Sequence, residues 1–363
     1  MEYMVCFITS SFTLNVAAKR INKISGKIIF VLSILIPVLL ATFRSIDVGI
    51  DVLVYIRPYA EWALNSNSFM SYIILALTSG LELGYAIINY IGAVFFGGLS
   101  GVFFLSAVLS IVPVYMRIIS YKNEIPVWEA AFIFLLIFYN LSLNLTRQAI
   151  AMSILFFALK YVEEKKYKYF FVFLVIAFLF HNSALLGAIY PIIAELSQGK
   201  DWKIKQFVIL AALIAFVVFY NHIFAFAIKI VLPSNADKYI KTFLLDGTGY
   251  LSFWVIVINI FIVGCVLFSA NYLKKINCYK PYLLIAMFNL IIYMLTMYNG
   301  NCFRYALYFM IITPRIVPLV RYKFNKKSRF IIDIMMVMIF VFYWINFNLL
   351  SDSYGTIPYS LMS

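Results

Sequence analysis

Charged residues are scarce in this 363-residue chain. They make up 12% of it, whereas a soluble globular protein carries about 25%. So few charges cannot cover a folded domain of this size with a hydrated surface, which excludes an ordinary water-soluble protein. The chain is instead 64% hydrophobic and 19% aromatic, with a mean hydropathy of +0.96. This composition predicts an integral membrane protein.

Motifs that hold cofactors are also lacking. The four cysteines are far apart in the sequence, so they predict neither a disulfide framework nor a zinc site. The chain has no Gly-rich nucleotide loop, no His-Glu-x-x-His motif and no Gly-x-Ser-x-Gly motif. We therefore expect no metal and no other cofactor. An enzyme of this kind would take a substrate that is already activated and carried by a lipid.

Acidic residues are outnumbered by basic ones, 15 against 29, which gives a net charge of +14. In a soluble protein this excess would suggest a nucleic-acid partner. Most of the cations, however, lie in short connections between apolar segments, so we expect no nucleic-acid partner. By the positive-inside rule these connections are cytoplasmic. They lie near residues 19–27, 117–122, 160–168, 200–205, 274–280 and 321–329.

Apolar segments recur along the whole chain and predict an all-α polytopic membrane bundle. A crossing helix needs about 17 to 25 mostly apolar residues. We expect one membrane domain over residues 1–363, with outer loops near 44–68 and 222–250 and with both termini outside the cytoplasm. Twelve segments are predicted to cross, near 3–18, 28–43, 101–118, 127–143, 146–162, 167–181, 183–196, 204–221, 251–272, 281–298, 302–320 and 330–350.

Residues 69–98 contain two shorter apolar runs, about 69–80 and 84–98. The alternation of sides requires that they cross the membrane twice or not at all. A transmembrane hairpin and a pair of re-entrant half-helices both satisfy this condition. The predicted total is therefore 12 to 14 transmembrane helices. Gly97, Gly98 and Gly101 predict a break before the next helix.

Three arginines on the predicted outer side are candidates for binding a diphosphate. A guanidinium makes two parallel hydrogen bonds to phosphate oxygens and keeps its charge at neutral pH. Arg44, Arg147 and Arg304 occupy such positions, and anchoring of a helix end at the lipid headgroups is the alternative for each. Arg147 and Gln148 begin a predicted helix, whose N–H groups also favour an anion. This pair is the strongest phosphate-site candidate.

Two further side chains are candidates for a general base. His181 lies between two apolar helices, and histidine as a residue type suits a base that takes a proton from a sugar hydroxyl. A helix-connecting histidine is the structural alternative. Asp51, four residues after Asp47 and separated from it by Gly49, is the second candidate. Pairing of these aspartates with Arg44 or Arg57 is the alternative there.

These residues resemble the EpsG family of bacterial exopolysaccharide proteins, which is grouped with Wzy-type polymerases of O-antigen and capsule. The similarity runs in order along nearly the whole chain, and Leu83 stands where the family usually has proline. The motifs that carry it are Arg44-Ser-Ile-Asp-Val-Gly49-Ile-Asp51 with Tyr55, Glu82-Leu83-Gly84-Tyr85, Arg147-Gln148, Phe180-His181-Asn182-Ser183 and Phe303-Arg304-Tyr305.

The resemblance implies a glycosyltransferase of the bacterial inner membrane. Its substrate would be an oligosaccharide repeat unit on undecaprenyl diphosphate, and its partners would be membrane lipid, a flippase and chain-length regulators. The implied roles are catalysis by His181 or Asp51, diphosphate binding by the three arginines with Gln148, and sugar binding by a third group of residues. That group is Tyr55, Glu82, Tyr85 and Tyr305.

Two other classes of membrane protein compete with this interpretation. A flippase for the same lipid-linked unit would also have about a dozen helices, but it predicts charges deep in the bundle on both sides and internal repeats. A membrane O-acyltransferase could use His181 as its base, yet no second matching catalytic histidine is evident on that side. A non-catalytic assembly subunit is a third alternative. The outer bias of the polar residues favours the polymerase.

Overall fold

The computed structural model describes residues 1–198, 251–276 and 278–362, together with scattered residues between 199 and 250. Within this part of the chain the regular structure is helical, and the one strand-like pairing is an isolated bridge between Arg44 and Leu361. The all-α prediction is therefore confirmed for the described residues. The predicted helix 204–221 and the loop 222–250 lie outside them.

Most helices of the N-terminal half lie where the apolar segments predict them, and one further helix, Arg57–Asn65, lies within the predicted outer loop 44–68. A short π-helical turn at Val52–Ile56 precedes the helix that begins at Arg57. A second one, at Leu135–Tyr139, interrupts the long helix that begins at Val127. The bounds are α1 Glu2–Arg20, α2 Ile24–Thr42, α3 Arg57–Asn65, α4 Phe69–Thr78, α5 Leu83–Phe95, α6 Leu99–Ser120, α7 Val127–Phe134, α8 Asn140–Asn144, α9 Thr146–Glu163 and α10 Tyr167–Phe178.

The remaining helices are more often interrupted. Short 3-10 segments lie at Asn182–Ala188, Leu295–Met297, Val317–Lys323 and Lys326–Ser328, and a π-helical turn at Ile345–Leu350 ends the last helix. The α-helical bounds are α11 Ile189–Leu196, α12 Phe253–Phe268, α13 Ala270–Lys275, α14 Tyr279–Met294, α15 Cys302–Met310, α16 Thr313–Ile316 and α17 Arg329–Trp344.

Six helical stretches in the described residues are long and apolar enough to cross a membrane, and five shorter apolar helices accompany them. The chain is thus a membrane protein, whereas the count of 12 to 14 crossings stays a prediction. Both runs of residues 69–98 are helical, as α4 and α5. The six long stretches are Ile24–Thr42, Leu99–Ser120, Val127–Asn144, Tyr279–Met297, Cys302–Lys323 and Lys326–Leu350.

The described chain divides into two compact units, Met1–Gly187 with Thr313–Ser363, and Ala188–Ile312. The prediction of one domain over the whole chain is not tested by this division.

In the first unit the stretch Val127–Asn144 is 89% buried, and α9 packs against α6 and α10. A helix that is apolar on all sides belongs in such a core. In the second unit α14 packs against α11, α12 and α15.

Two long helices of the first unit present most of their apolar surface outward. Only 33% of Ile24–Thr42 and 28% of the most apolar part of Lys326–Leu350 are buried. Exposed apolar surface of this extent would cause aggregation in water. Lipid tails solvate it without cost, so these faces are suited to contact with the bilayer.

The predicted break between α5 and α6 is formed by glycines. Gly97 and Gly98 have φ angles of 87° and 74°, which glycine adopts readily. Beyond the turn the two helices touch through their backbones. A Cβ built at Gly92 would lie 2.7 Å from the Val102 Cα, and one at Gly101 would lie 2.2 Å from the Gly92 carbonyl oxygen. The close packing of α5 on α6 therefore requires both glycines.

The C-terminal tail fixes the loop that follows α2. The Ser45 and Gly49 N–H groups donate to the carbonyls of Ser360 and Gly355, each at 2.7 Å. The tail is itself held from the core, since the Asn140 Nδ2 donates to the Thr356 hydroxyl at 2.9 Å. Both of these side chains are buried. The loop with Arg44 and Asp51 is thus held between the tail and the end of α2.

Gly92→Ala should destabilise the protein by about 1–3 kcal/mol, because the added methyl group meets the α6 backbone and the helices must separate. Gly264→Ala is the matched control, since Gly264 also lies inside a helix but has no atom within 4 Å of the added Cβ. That change should be neutral or stabilising by up to about 1 kcal/mol. Thermal unfolding in detergent micelles measures both. Equal tolerance of the two changes would contradict the close-packing account.

Candidate functional site

A buried carboxylate between α4 and α5 organises the candidate site. The Glu82 side chain is 7% exposed. Its Oε2 accepts a hydrogen bond from the Arg147 Nη1 at 2.5 Å, and its Oε1 lies 3.0 Å from the His181 Nδ1. The backbone N–H of Asn182 also points at Oε1, at 3.4 Å. One carboxylate thus joins residues from three separate parts of the sequence.

A glycine beside Glu82 makes this meeting possible. The Gly84 N–H donates to the Leu179 carbonyl at 2.7 Å, which ties the start of α5 to the end of α10. A Cβ on Gly84 would lie 2.8 Å from that oxygen, so a larger residue would push the segments apart. Because Leu179 is two residues from His181, this contact brings the histidine ring to Glu82.

The partners of Glu82 keep it ionised. Burial alone would raise its pKa, but the hydrogen bond from His181 and the positive charge of Arg147 outweigh burial and lower the pKa to about 2. A carboxylate has no proton and can only accept hydrogen bonds. The His181 Nδ1 must therefore carry the proton that is shared with Glu82.

This proton assignment leaves the second ring nitrogen of neutral His181 as a lone-pair acceptor. Among the described residues no hydrogen bond occupies its Nε2, and the side chain is 21% exposed. A histidine whose Nδ1–H is held by a carboxylate and whose Nε2 is accessible has the arrangement of a general base. The geometry is compatible with the catalytic role predicted for His181.

Arg147 lies in the first turn of α9 and is 25% exposed. The pairing with Glu82 uses one of its terminal nitrogens, while a guanidinium has five N–H groups. Its charge also lies 5.7 Å from the centre of the Tyr55 ring. Arg147 therefore has both a fixed orientation and donor groups beyond the ion pair.

The loop after α2 reaches the same region. The Asp51 N–H donates to the Asn144 side-chain oxygen at 2.7 Å, so the end of α8 holds the backbone of this candidate base. Gly49, two residues earlier, has a φ of 109° and would place a Cβ 3.0 Å from the Leu143 carbonyl. The Asp-x-Gly-x-Asp segment is thus a bend, as the intervening glycine predicts, and its two aspartates do not share a helix face.

Arg44 is 2% exposed and lies deeper than an interfacial anchor would. Its guanidinium lies 4.1 Å from the centre of the Phe103 ring, and burial lowers its pKa to about 10. It is therefore still a cation at neutral pH. Tyr85, which is 1% exposed, interacts with the charges of both Arg44 and Arg147. A buried positive region thus adjoins the Glu82 cluster.

Three further predicted site residues lie in α9 and α15. Gln148 is buried in α9. Arg304 and Tyr305 lie in α15 of the second unit, where Tyr305 is 43% exposed. The roles predicted for these three residues stay predictions.

The pairing of Glu82 with both His181 and Arg147 was not predicted from the sequence. Both oxygens of Glu82 are engaged by protein partners, and the sugar-binding role implied for it stays a prediction. A signal was present in the sequence, because Glu82 is the only acidic residue between Glu61 and Glu124. An isolated carboxylate in an apolar stretch needs a cationic partner. The sequence alone does not indicate which cationic side chain pairs with Glu82.

Comparison with known protein families matches residues 27–361 to the EpsG family. This match covers nearly the whole chain. The chain belongs to the EpsG family. EpsG is a Wzy-type polymerase-like family of membrane proteins in polysaccharide biosynthesis, so the resemblance stated from the motifs is confirmed. No curated protein and no solved structure matches the chain.

Glu82→Gln should reduce stability by an amount that depends on pH. The lowered pKa of Glu82 means that its contribution is complete above its ordinary pKa of 4.5 and is lost as the pH falls toward about 2. The contribution is on the order of 3 kcal/mol at neutral pH. Thermal unfolding in micelles at a series of pH values should therefore show a large difference between variant and parent at neutral pH that shrinks below about pH 4.

The control for this prediction is Glu61→Gln. Glu61 pairs with Arg57 at 2.6 Å, but both side chains are about half exposed, and such a surface pair contributes at most about 1 kcal/mol. A pH-independent effect of Glu82→Gln, or one no larger than that of Glu61→Gln, would contradict the electrostatic account of the cluster.

Proposed function

We propose that this protein polymerises undecaprenyl-diphosphate-linked oligosaccharide units at the outer face of the bacterial inner membrane. The growing glycan would pass from its lipid diphosphate to a new lipid-linked unit, giving O-antigen, capsule or exopolysaccharide. The observation that carries the proposal is the contact of Glu82 with both His181 and Arg147 in a membrane protein of the EpsG family. A base and a cation are thereby held together.

In the proposed step His181 acts on the acceptor. Its Nε2 takes the proton of the attacking sugar hydroxyl while that oxygen bonds to the anomeric carbon of the donor. The bond from the anomeric carbon to the diphosphate oxygen breaks, and its electron pair leaves with the diphosphate. Glu82 stabilises the imidazolium that forms, because its carboxylate already accepts the Nδ1–H. Glu82 is thus a positioning residue. Asp51 is the alternative base.

Cations would stabilise the departing diphosphate. Arg147 has N–H groups beyond its bond to Glu82 and is partly exposed, so it is the first of the proposed diphosphate ligands. The buried charge of Arg44 adds to the local positive potential, and Gln148 and Arg304 complete the set. For stacking on a sugar face, the 44% exposed Tyr55 is better suited than the buried Tyr85. Tyr305 is a further candidate.

The proposed membrane topology of the protein follows the positive-inside rule. The basic connections would lie in the cytoplasm, both termini outside it, and the chain would cross the membrane 12 to 14 times. The Glu82 cluster would then face the compartment into which lipid-linked units are flipped.

Deletion of the gene in its host tests the proposed function. Surface polysaccharide on a gel should collapse from a ladder to a single repeat unit, and the intact gene should restore the ladder. If no unit reaches the surface and lipid-linked units accumulate inside, the protein is a flippase. An unchanged ladder that has lost an acyl substituent would indicate an O-acyltransferase.

His181→Ala and Arg147→Ala should each fail to restore the ladder when membrane expression is matched. Removal of a general base costs about 100-fold or more in rate, and loss of the arginine leaves the leaving-group charge uncompensated. Arg57→Ala is the control, because it removes an arginine whose ion pair is exposed, and it should restore a normal ladder. Normal ladders from both test variants would remove these residues from the site.

A further inference from the structure

A basic cavity lies in the first unit, away from the Glu82 cluster and not used by the proposed reaction. It has a volume of about 540 Å³ and is lined by Lys19, Lys122, Arg321 and Arg329, with Glu124 and Tyr322 among its other side chains. Three connections that the positive-inside rule assigns to the cytoplasm contribute these cations. The end of α1, the end of α6 and the segment from Val317 to Arg329 therefore meet at one cavity.

The cations of this cavity have little compensating charge. Glu124, the acidic residue in the lining, is bound to Arg315, which does not line the cavity. Arg321 contacts Asp333 at 3.3 Å, and the charge of Asp333 also acts on Arg329. In the described part of the chain, Lys19, Lys122 and Arg329 have no carboxylate within ion-pair distance. With four cations against Glu124 and Asp333, the cavity keeps a net positive charge.

Burial distinguishes this group from ordinary topology anchors. A lysine or arginine that anchors a helix extends its charge into water. Lys122, Arg321 and Arg329 are instead partly buried. Arg329 is fixed further, because its guanidinium lies 5.0 Å from the centre of the Tyr322 ring and its Nε donates to the Phe324 carbonyl at 3.4 Å. The Arg329 guanidinium is thus held in place at the cavity.

We propose that this cavity binds a phosphorylated ligand. Several convergent cations need a ligand with more than one negative charge, and the forked donors of two arginines match phosphate oxygens. The volume lies in the range of small-molecule sites, about 300–1,000 Å³. It accommodates either a free phosphorylated metabolite or the headgroup of an anionic phospholipid. The inference does not depend on the polymerase proposal, since no residue of the cavity belongs to that site.

The test uses the full-length protein and two probes of phosphate chemistry. Inorganic pyrophosphate is titrated into the protein in an uncharged detergent. In a second arm, nanodiscs of phosphatidylcholine alone are compared with nanodiscs that also contain phosphatidylglycerol. A ligand that binds only the folded state raises the melting temperature, so thermal unfolding is the readout in both arms. Added potassium chloride should reduce either shift.

The test variant is Lys122→Gln/Arg329→Gln. Loss of two charge-assisted hydrogen bonds should raise the half-saturating concentration on the order of 10- to 100-fold. The matched control is Lys23→Gln/Lys327→Gln, which removes the same charge from exposed positions in two of the same connections but outside the cavity. It should behave as the parent does. Lys19→Gln, at an exposed position, gives a milder test if the double variant does not fold.

If pyrophosphate raises the melting temperature of the parent and only the cavity variants lose this rise, the ligand is a free phosphorylated compound. If phosphatidylglycerol raises the melting temperature and only the cavity variants lose this rise, the ligand is a lipid headgroup. The proposal is overturned if neither probe stabilises the parent protein. It is also overturned if the cavity and control variants respond alike, because any binding would then be elsewhere, for example at Arg147.

Discussion

The candidate site depends on the cost of burying one negative charge in a membrane protein. Glu82 is almost inaccessible to solvent, and a carboxylate in such a place is stable only with partners that supply charge and hydrogen bonds. Arg147 supplies the charge and His181 a directed hydrogen bond. Satisfying this requirement fixes the orientation of the arginine and the tautomer of the histidine. The same interaction that stabilises the fold thus holds the two groups that the proposed reaction uses.

The surrounding fold serves this arrangement by bringing backbones close together. Gly84 allows the start of α5 to meet the end of α10, and Gly92 and Gly101 allow α5 to lie against α6. The C-terminal tail and Asn144 hold the loop that bears Asp51. Small residues and buried polar side chains are the usual means of joining helices in membranes, where apolar contact alone gives little preference. Here they determine which segments meet at Glu82.

Much of the helical structure was predictable, because apolar segments of crossing length are a strong signal and glycine pairs mark breaks. The interruptions at Leu135–Tyr139 and Val317–Lys323 were not, since they depend on packing and leave no local pattern. The candidate residues were predictable as rare polar groups near helix ends. Their pairing was not, because Glu82 and His181 are separated by 99 positions and several cations were available. The basic cavity was not predictable either, because its residues come from three separate connections. Each of its lysines and arginines, taken alone, fits the positive-inside rule.

The proton position on His181 is the most direct test of this account. The chain has two histidines, so His222→Gln leaves a single imidazole for ¹⁵N NMR of histidine-labelled protein in micelles. The account predicts that neutral His181 carries its proton on Nδ1 and that Glu82→Gln, added to this background, removes the preference. A neutral ring protonated on Nε2, or a tautomer that does not respond to Glu82→Gln, would contradict the claim that Glu82 orients the base.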